Sequence, residues 1–205
     1  MALFTDLALE AREMDPDIPG IMEETTVKYG ATVTRITVET DEAARRMGKK
    51  KGSYITIDFT EITERTAGSL SCAALALADE LGAMLKGRLE GGPILVVGLG
   101  NRRVTPDSIG PETAERISVT RHIMENVPEL LDFSVPSVCS IAPGVMGLTG
   151  IETAEYVKAL AAKLSPGAVI AIDTPVCGQA CRAAAVPASS AVAEDPTEKL
   201  SALNP

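Results

Sequence analysis

The chain has 205 residues, 45% of them hydrophobic and 23% charged, and its formal net charge is −9. This size and composition fit one globular domain with a full core and room for a small appendage. The negative charge argues against a nucleic-acid backbone or an anionic membrane as the main partner, and it suits a basic protein substrate. The most apolar runs, residues 94–99 and 168–172, are too short to cross a bilayer, and no secretory signal is recognisable at the start. We therefore expect a cytoplasmic protein.

The first part of the chain predicts an arm followed by a small antiparallel element. Residues 1–30 are acidic and contain Pro16 and Pro19, which favours an N-terminal arm over a packed unit. Residues 31–38 are rich in β-branched side chains and predict a strand. Residues 53–59 predict a second strand, antiparallel to the first.

Two helices are predicted beside these strands. Asp41 is the expected N-cap of a short helix that ends at Gly48. Residues 69–88 predict a long helix, because apolar side chains recur there at steps of three and four residues. These apolar positions are Leu70, Ala74, Leu77, Leu81 and Met84 or Leu85.

Strands and helices alternate in the next part of the chain. Residues 93–98 form a continuous apolar run, which is typical of a strand buried on both faces in a parallel sheet. Residues 135–141 and 168–173 predict two more strands, the last again buried on both faces. The two helices between them are predicted from Pro111 to about Met124 and from Thr149 or Gly150 to Leu164. This βαβαβ order predicts an α/β fold, in a domain that spans residues 31–175.

The cysteines and the last residues give weaker signals. The cysteines are Cys72, Cys139, Cys177 and Cys181, and we expect reduced thiols rather than a disulfide framework. The only histidine, His122, is more typical of a helix end or a core than of a catalytic base, and it is far in sequence from the last two cysteines. We therefore expect no zinc site. Residues 176–205 are rich in Ala, Ser and Pro and predict a low-complexity, poorly ordered tail.

Asp107 and Asp173 are the candidate catalytic residues. Asp107 lies in the loop after the first buried strand, and Asp173 is the last residue of the third. In open parallel sheets the ligand crevice lies outside the carboxyl ends of the strands, so both aspartates are expected at one edge. Two carboxylates held close in a partly dry cleft do not ionise independently. This arrangement supplies an acid and a base for activating water against a peptide carbonyl.

The loops around these aspartates favour a site over ordinary turns. A loop aspartate taken alone is more often a helix cap or a turn residue. Here two glycine-rich loops, Gly98–Asn101 and Ala142–Gly150, follow neighbouring strands. The first loop also resembles a dinucleotide-binding start, but Arg103 stands where the third glycine belongs and Pro106 interrupts the helix start.

These segments resemble the germination protease family of spore-forming bacteria. The matching segments are Thr5–Ala11, Val96–Asn101, Val104–Asp107, Gly110–Pro111, Val119–His122, Ile141–Thr153 and Ala171–Asp173. The first is similar to the start of the mature enzyme, and the others to its catalytic loops and signatures. The likeness extends over nearly the whole chain up to Asp173.

The resemblance implies an aspartic-type endopeptidase in which Asp107 and Asp173 act on water as acid and base. It implies a three-layer α/β/α fold with a mostly parallel central sheet, of the phosphorylase/hydrolase type that hydrogenase-maturation peptidases share. No metal or organic cofactor is implied. The implied substrate-binding loop residues are Gly98, Gly100, Asn101, Thr105, Gly144, Met146, Gly147, Thr149 and Gly150.

The resemblance also implies a biological setting. The substrates would be small acid-soluble spore proteins, degraded during germination in the spore core or forespore. The enzyme would be a homotetrameric zymogen that matures by a cut near Asp6 and Leu7, with no direct nucleic-acid or membrane partner.

The likeness stops after Asp173, and two alternatives stay open. Residues 174–179 depart from the family pattern, which predicts a truncation or frameshift. One alternative is a hydrogenase-maturation-type endopeptidase, since Gly98–Asn101 with Asp107 and Gly110 also resembles that family's opening loop. The other is a truncated, inactive relative that only binds.

Overall fold

The computed structural model describes residues 7–58, 68–87, 91–131, 135–174 and 185–186. The chain divides into two compact units, the first containing the described residues up to Met84 together with residues 185–186, the second those from Leu85 to Thr174. The first unit is built on an antiparallel sheet and the second on a parallel sheet. The predicted α/β class with a small antiparallel element is therefore confirmed, and the domain boundaries at residues 31 and 175 stay a prediction. Among the described helices, none is both long and apolar enough to cross a bilayer.

The first unit contains a four-stranded antiparallel sheet of order β1-β2-β3-β7. Its strands are β1 (Ile21–Lys28), β2 (Ala31–Val38), β3 (Gly52–Asp58) and β7 (Ala185–Val186). The predicted antiparallel pair is the central one, with Val33 opposite Ile57. Phe59, the predicted last residue of β3, lies outside the described residues.

The expected N-terminal arm is wrong for its described part. Residues Ala8–Met14 form helix α1, and β1 follows it in the sheet. Leu7, Ala8 and Ala11 are buried, and both alanines join a hydrophobic cluster with strand β2. Leu7, Ala8 and Ala11 have the spacing of one helix face. This apolar stripe is short and lies among acidic residues, so the composition of the segment did not predict a helix.

Helix α2 (Asp41–Met47) has a different cap from the one predicted. The Thr40 hydroxyl accepts a 3.1 Å hydrogen bond from the backbone N–H of Ala43, so Thr40 is the N-cap. Asp41 instead forms an ion pair of 2.8 Å with Lys51. Gly48 ends the helix in the left-handed conformation, as predicted, with φ at 63°.

Helix α3 (Ser69–Leu85) packs on the sheet through part of the predicted face, since Leu77 and Met84 contact the cluster formed with β2 and β3. Ala76 is fully buried in a cluster with β2 and β3, whereas Leu70 is 74% exposed. Glu80 is also buried, because Arg35 and Lys28 surround its carboxylate. Hydrogen bonds of 2.5 and 2.9 Å come from Arg35, and one of 3.0 Å comes from Lys28.

The second unit contains a three-stranded parallel sheet of order β5-β4-β6. Strand β4 (Ile94–Gly98) is central and every residue in it is buried, which confirms the prediction. Strand β5 covers Val138–Ile141 and β6 covers Ala168–Ile172. The expectation that β6 is buried on both faces is wrong: Val169 and Ala171 are exposed, because β6 is an edge strand of the described sheet.

Only one of the two predicted helices of this unit is divided into two. The first gives α4 (Ile109–Arg116) and α5 (Arg121–Asn126), since Ile117 adopts an extended conformation between them. The second is α7 (Thr153–Leu164), which begins three or four residues later than predicted and ends where predicted, while α6 (Met146–Thr149), ended by Gly150, is an additional helix before it. The β-branched side chains from Ile117 to Thr120 account for the break, because they disfavour helix.

Helices α7 and α4 reach opposite faces of strand β4. Val157 of α7 packs against Leu95 and Val97. On the other face, the Ser140 hydroxyl of neighbouring β5 donates a 2.7 Å hydrogen bond to the carbonyl of Ala114 in α4. Alternate side chains of a strand point to opposite faces, so β4 is covered from both sides.

Candidate active site

A hydrogen bond between backbone groups connects the carboxyl ends of β4 and β6. The N–H of Leu99, just after β4, donates a 2.8 Å hydrogen bond to the carbonyl of Ile172, the last residue of β6. Asp173 follows Ile172 in the chain. The loop that carries Asp107 therefore begins where Asp173 emerges from the sheet.

The Asp107 loop folds back on itself. Residues Thr105–Asp107 form one turn of 3-10 helix after Val104. The backbone N–H of Asn101 lies 2.7 Å from the Asp107 carboxylate and 3.0 Å from its carbonyl oxygen. Asp107 is half-buried and is held through this donor, which also brings it back toward the start of the loop.

Asp173 is exposed at the same sheet edge. Its carboxylate accepts a 2.8 Å hydrogen bond from the N–H of Thr174. Two hydrogen bonds connect the segments that carry the aspartates. One joins Asp107 to the N–H of Asn101, and the other joins Leu99, two residues before Asn101, to Ile172, which directly precedes Asp173. The structure thus brings both sequence-predicted catalytic residues to the carboxyl edge of one parallel sheet.

Three glycines make this close approach of backbones feasible. Gly100 has φ at 112°, and a Cβ there would overlap the carbonyl of Asp107 and lie 2.8 Å from its carboxylate. A Cβ at Gly110 would overlap the carbonyls of both Leu99 and Ile172. Gly98 likewise has no room for a side chain beside Gly110.

The role of Gly110 was not apparent from the sequence. It lies in the first turn of α4, a place where glycine offers no helix-forming advantage. A glycine followed by Pro111 inside a predicted helix start is the signal that indicates a close contact.

Arg102 fastens the Asp107 loop to helix α4. Its Nε lies 2.9 Å from Glu112, and its Nη1 pairs with Glu115. Arg116 donates to Glu112 as well, and these cations hold the pKa of Glu112 below its ordinary value, with the Arg116 hydrogen bond as the main cause. Arg102 is therefore engaged within the chain, whereas the Arg103 side chain is exposed.

The second predicted loop follows strand β5. The carbonyl of Gly144 accepts a 3.0 Å hydrogen bond from the Thr153 hydroxyl, which ties the loop to α7. The Thr149 hydroxyl accepts from the N–H of Ile151 at 3.2 Å. Gly147 and Gly150 are exposed, and Gly150 has φ at 73°.

Large apolar side chains are exposed in the two segments that follow β4 and β5, in their loops and short helices. Thr105 is exposed beside them. Apolar side chains in such number at one sheet edge are a surface on which the apolar side chains of another chain can pack. The exposed apolar residues of this chain at the edge are Val104, Ile109, Met146, Leu148 and Ile151.

The remaining predicted residues lie elsewhere. Leu7, at the start of α1, is buried, with only 3% of its surface exposed. Asp6 lies outside the described residues.

The cysteines and the histidine are separate from this site. Cys177 and Cys181 lie outside the described residues. Cys72 and Cys139 are free thiols, and burial raises the pKa of Cys139. His122 is exposed on α5. In the described ranges, no group of three or more His, Cys, Asp or Glu residues is arranged to hold a metal ion.

Comparison with known proteins gives the family. Residues 3–185 match the sequence profile of the family described as germination protease. Relatives with that name include one from Clostridium perfringens, 42% identical over 175 residues, which are 82% of this chain and 54% of the relative. The relative from Clostridium acetobutylicum is 36% identical over the same shares of the two chains, and that from Bacillus mycoides is 36% identical over 82% of this chain and 48% of its own.

The matches cover most of this chain but only part of the relatives. The chain spans about half the length of the curated relatives it matches. The profile match nevertheless includes both glycine-rich loops and both aspartates at the sheet edge. The chain belongs to the germination protease family.

Proposed function

We propose that the chain acts as an endopeptidase of the aspartic type, with Asp107 and Asp173 as its catalytic pair. The observation that carries the proposal is the hydrogen bond between Leu99 and Ile172, which fixes the Asp107 loop to the end of β6, directly before Asp173. Membership of a protease family supports the reaction class. The three-layer α/β/α arrangement is part of the same proposal, supported by α4 and α7 on opposite faces of β4.

The proposed chemistry is attack by water on a peptide carbonyl. One carboxylate, as general base, removes a proton from the water as its oxygen attacks the carbonyl carbon. The other, protonated, donates its proton to the carbonyl oxygen and so stabilises the tetrahedral intermediate. When the tetrahedral intermediate breaks down, the carboxyl group that took the proton from water gives it to the leaving amine, and the other carboxylate takes back its proton as the new carboxyl group forms. The N–H of Asn101, which holds the Asp107 carboxylate at 2.7 Å, fixes the orientation of that group without consuming a catalytic proton.

The glycine-rich loops are the proposed substrate-binding surface. Gly98, Gly100, Asn101 and Thr105 form one side, and the loop of Gly144, Met146, Gly147, Thr149 and Gly150 forms the other. Exposed apolar side chains on both loops suit an extended peptide that presents apolar side chains of its own. The net charge of −9 suits a basic substrate. Small acid-soluble spore proteins are the proposed substrates.

The remaining parts of the proposal come from the family resemblance. They are a cytoplasmic location in the spore core or forespore, a homotetramer, a zymogen cut near Asp6 and Leu7, and no cofactor. The buried position of Leu7 implies that α1 must unfold locally before a protease reaches that bond. Maturation would then be slower than cleavage of an extended substrate.

Incubation of the purified chain with a small acid-soluble spore protein, followed by mass spectrometry of the products, tests this function. Discrete cleavage that persists in a metal chelator is the expected result. Cleavage that requires added nickel would favour the hydrogenase-maturation alternative. Binding of the spore protein without any cleavage, by a chain that still unfolds cooperatively, would show a relative that only binds.

A further inference from the structure

The side chain of Asn101 is turned into its own loop. Its Oδ1 accepts a 3.0 Å hydrogen bond from the backbone N–H of Arg103, two residues further along the chain. This ring is an Asx turn, in which an asparagine side chain takes the place of a backbone carbonyl and reverses the chain. Asn101 therefore fixes the backbone of the next two residues through its side-chain oxygen.

Two backbone hydrogen bonds continue the reversal that the Asx turn begins. The N–H of Val104 donates to the carbonyl of Asn101 at 3.0 Å, and the N–H of Asp107 donates to the carbonyl of Val104 at 2.8 Å. Each of these bonds closes a turn of four residues. The chain thus leaves Asn101, turns twice and returns with Asp107 as its last residue.

This return places the Asp107 carboxylate against the start of the loop. The N–H of Asn101 lies 2.7 Å from Oδ2 of Asp107 and 3.0 Å from its carbonyl oxygen. The other carboxylate oxygen lies beside Gly100, where a Cβ would be only 2.8 Å from Oδ1. The position of the carboxylate therefore depends on the path of the chain between Asn101 and Asp107.

Hydrogen bonds, and not apolar packing, set the path of this loop. Residues 102–106 are all exposed, so burial of side chains contributes little to their placement. The ion pairs of Arg102 with helix α4 are exposed as well, and pairs of that kind contribute little energy. Loss of a turn-forming hydrogen bond should consequently displace Asp107.

Asn101 takes part in the closure of the loop through its N–H, its carbonyl and its side-chain oxygen. Every residue except proline supplies the first two groups, whereas only a short side chain with an acceptor oxygen closes the Asx turn. We propose that Asn101 is the positioning residue of Asp107 and acts through its side-chain oxygen. The proposal rests on the proposed function, in which Asp107 is a catalytic carboxylate.

A direct contact with the substrate is the competing role for this side chain. Asn101 is half-buried, and within the residues that the structure describes its Nδ2 group donates no hydrogen bond. The two roles differ in their kinetics. Loss of a positioning bond displaces a catalytic group and lowers kcat, whereas loss of a contact that binds substrate and transition state equally raises KM.

Steady-state cleavage of a small acid-soluble spore protein separates these roles. We expect Asn101→Ala to lower kcat about 100-fold, with KM changed less than about 3-fold, because a displacement of about 1 Å has an effect of this size. Asn101→Ser should have an intermediate kcat, since its hydroxyl closes the same turn more weakly. Asn101→Gln keeps the amide but is too long for the turn, so its kcat should fall as in Asn101→Ala.

The matched control removes another asparagine hydrogen bond of the second unit. Nδ2 of Asn126 donates to the carbonyl of His122 at 2.7 Å in an exposed part of α5. Asn126→Ala should keep the kcat of the parent, and circular dichroism of each variant verifies the fold. An unchanged kcat in Asn101→Ala, a raised KM with parental kcat, or an equal loss in Asn126→Ala would overturn the proposal.

Hydrogen exchange measured by NMR tests the same hold on Asp107 without any need for cleavage. The amide hydrogen of Asp107 should exchange about 5- to 10-fold faster in Asn101→Ala than in the parent. That of Leu99, bonded to Ile172, should exchange at the parental rate. Unchanged exchange at Asp107 would overturn the proposal. If the parent chain cleaves nothing, the proposed function fails, and these exchange rates decide by themselves whether the side chain holds Asp107.

Discussion

The backbone N–H of Asn101 donates a hydrogen bond of 2.7 Å to the carboxylate of Asp107. Asparagine at position 107 retains an oxygen that can accept this hydrogen bond, whereas alanine does not. We expect Asp107→Ala to lower the free energy of unfolding by about 1–2 kcal/mol, and Asp107→Asn to lower it less. Urea unfolding followed by circular dichroism measures both. Equal stability of the two variants would show that this hydrogen bond does not hold the loop.

Gly110→Ala tests the junction between the Asp107 loop and strand β6. Alanine ordinarily favours a helix over glycine by about 1 kcal/mol. At position 110 its Cβ would overlap the carbonyls of Leu99 and Ile172, so we expect a loss of about 1–3 kcal/mol in the free energy of unfolding. Cleavage activity should fall as well, because the two aspartates are held at one edge through this junction.

Gly147→Ala is the control for that substitution. A Cβ at Gly147 meets no atom within 4 Å, and the residue lies in helix α6. Stability should be unchanged or slightly higher. If Gly110→Ala were as stable as Gly147→Ala, the proposed packing of the junction would be wrong.

Glu80→Gln tests the buried ion cluster of the first unit. The substitution leaves Arg35 and Lys28 without their shared counter-charge, and loss of one partner from a buried ion pair is strongly destabilising. Both cations are partly exposed, so we expect a loss of about 2–3 kcal/mol in the free energy of unfolding. Asp79→Asn, which alters an exposed carboxylate 3.9 Å from Lys28, should cost less than about 0.5 kcal/mol. Comparable losses in the two variants would contradict this assignment.

The same cluster predicts how stability depends on pH. Burial raises the pKa of Glu80, but the hydrogen bonds from Arg35 and Lys28 outweigh it and leave the pKa below its ordinary value of 4.5. A carboxyl group whose pKa is lowered by folding stabilises the folded state above its unfolded pKa, and this contribution is lost as pH falls through the folded pKa. The difference in unfolding free energy between parent and Glu80→Gln should therefore be constant from pH 7 to 5 and shrink below about pH 4.5. A difference that does not depend on pH would refute the ionic explanation.

The sequence predicts the centre of each sheet better than its edges. The uninterrupted apolar run of β4 predicts a strand between two others, because only there are both of its faces buried. The structure places β4 at the centre of its sheet. Strand β6 has a similar run but lies at the edge of the described sheet, because apolar composition alone does not distinguish a central from an edge strand. Helix α1 was missed for a different reason: its seven residues are too few to show a clear period, and Pro16 and Pro19 follow it closely.

The order of strands along the chain was enough to predict at which edge of the sheet the candidate site lies, but not the contacts within it. Strand ends of a parallel sheet meet at one edge, so the sequence was enough to expect Asp107 and Asp173 there. The contacts that hold them depend on the path of the loop, which no periodicity encodes. The junction at Gly110 and the fastening of Arg102 to Glu112 and Glu115 are of this kind.

If Asp107 and Asp173 form the catalytic pair, substitution of either aspartate must stop cleavage of a small acid-soluble spore protein. Initial rates would be measured by mass spectrometry for the parent, Asp107→Asn, Asp173→Asn and the exposed control Glu129→Gln. We expect a loss of at least about 1000-fold for each aspartate variant, with unchanged circular dichroism and a normal rate for Glu129→Gln. An Asp107→Asn/Asp173→Asn chain that still cleaves at the same bonds at a comparable rate would remove both residues from the mechanism.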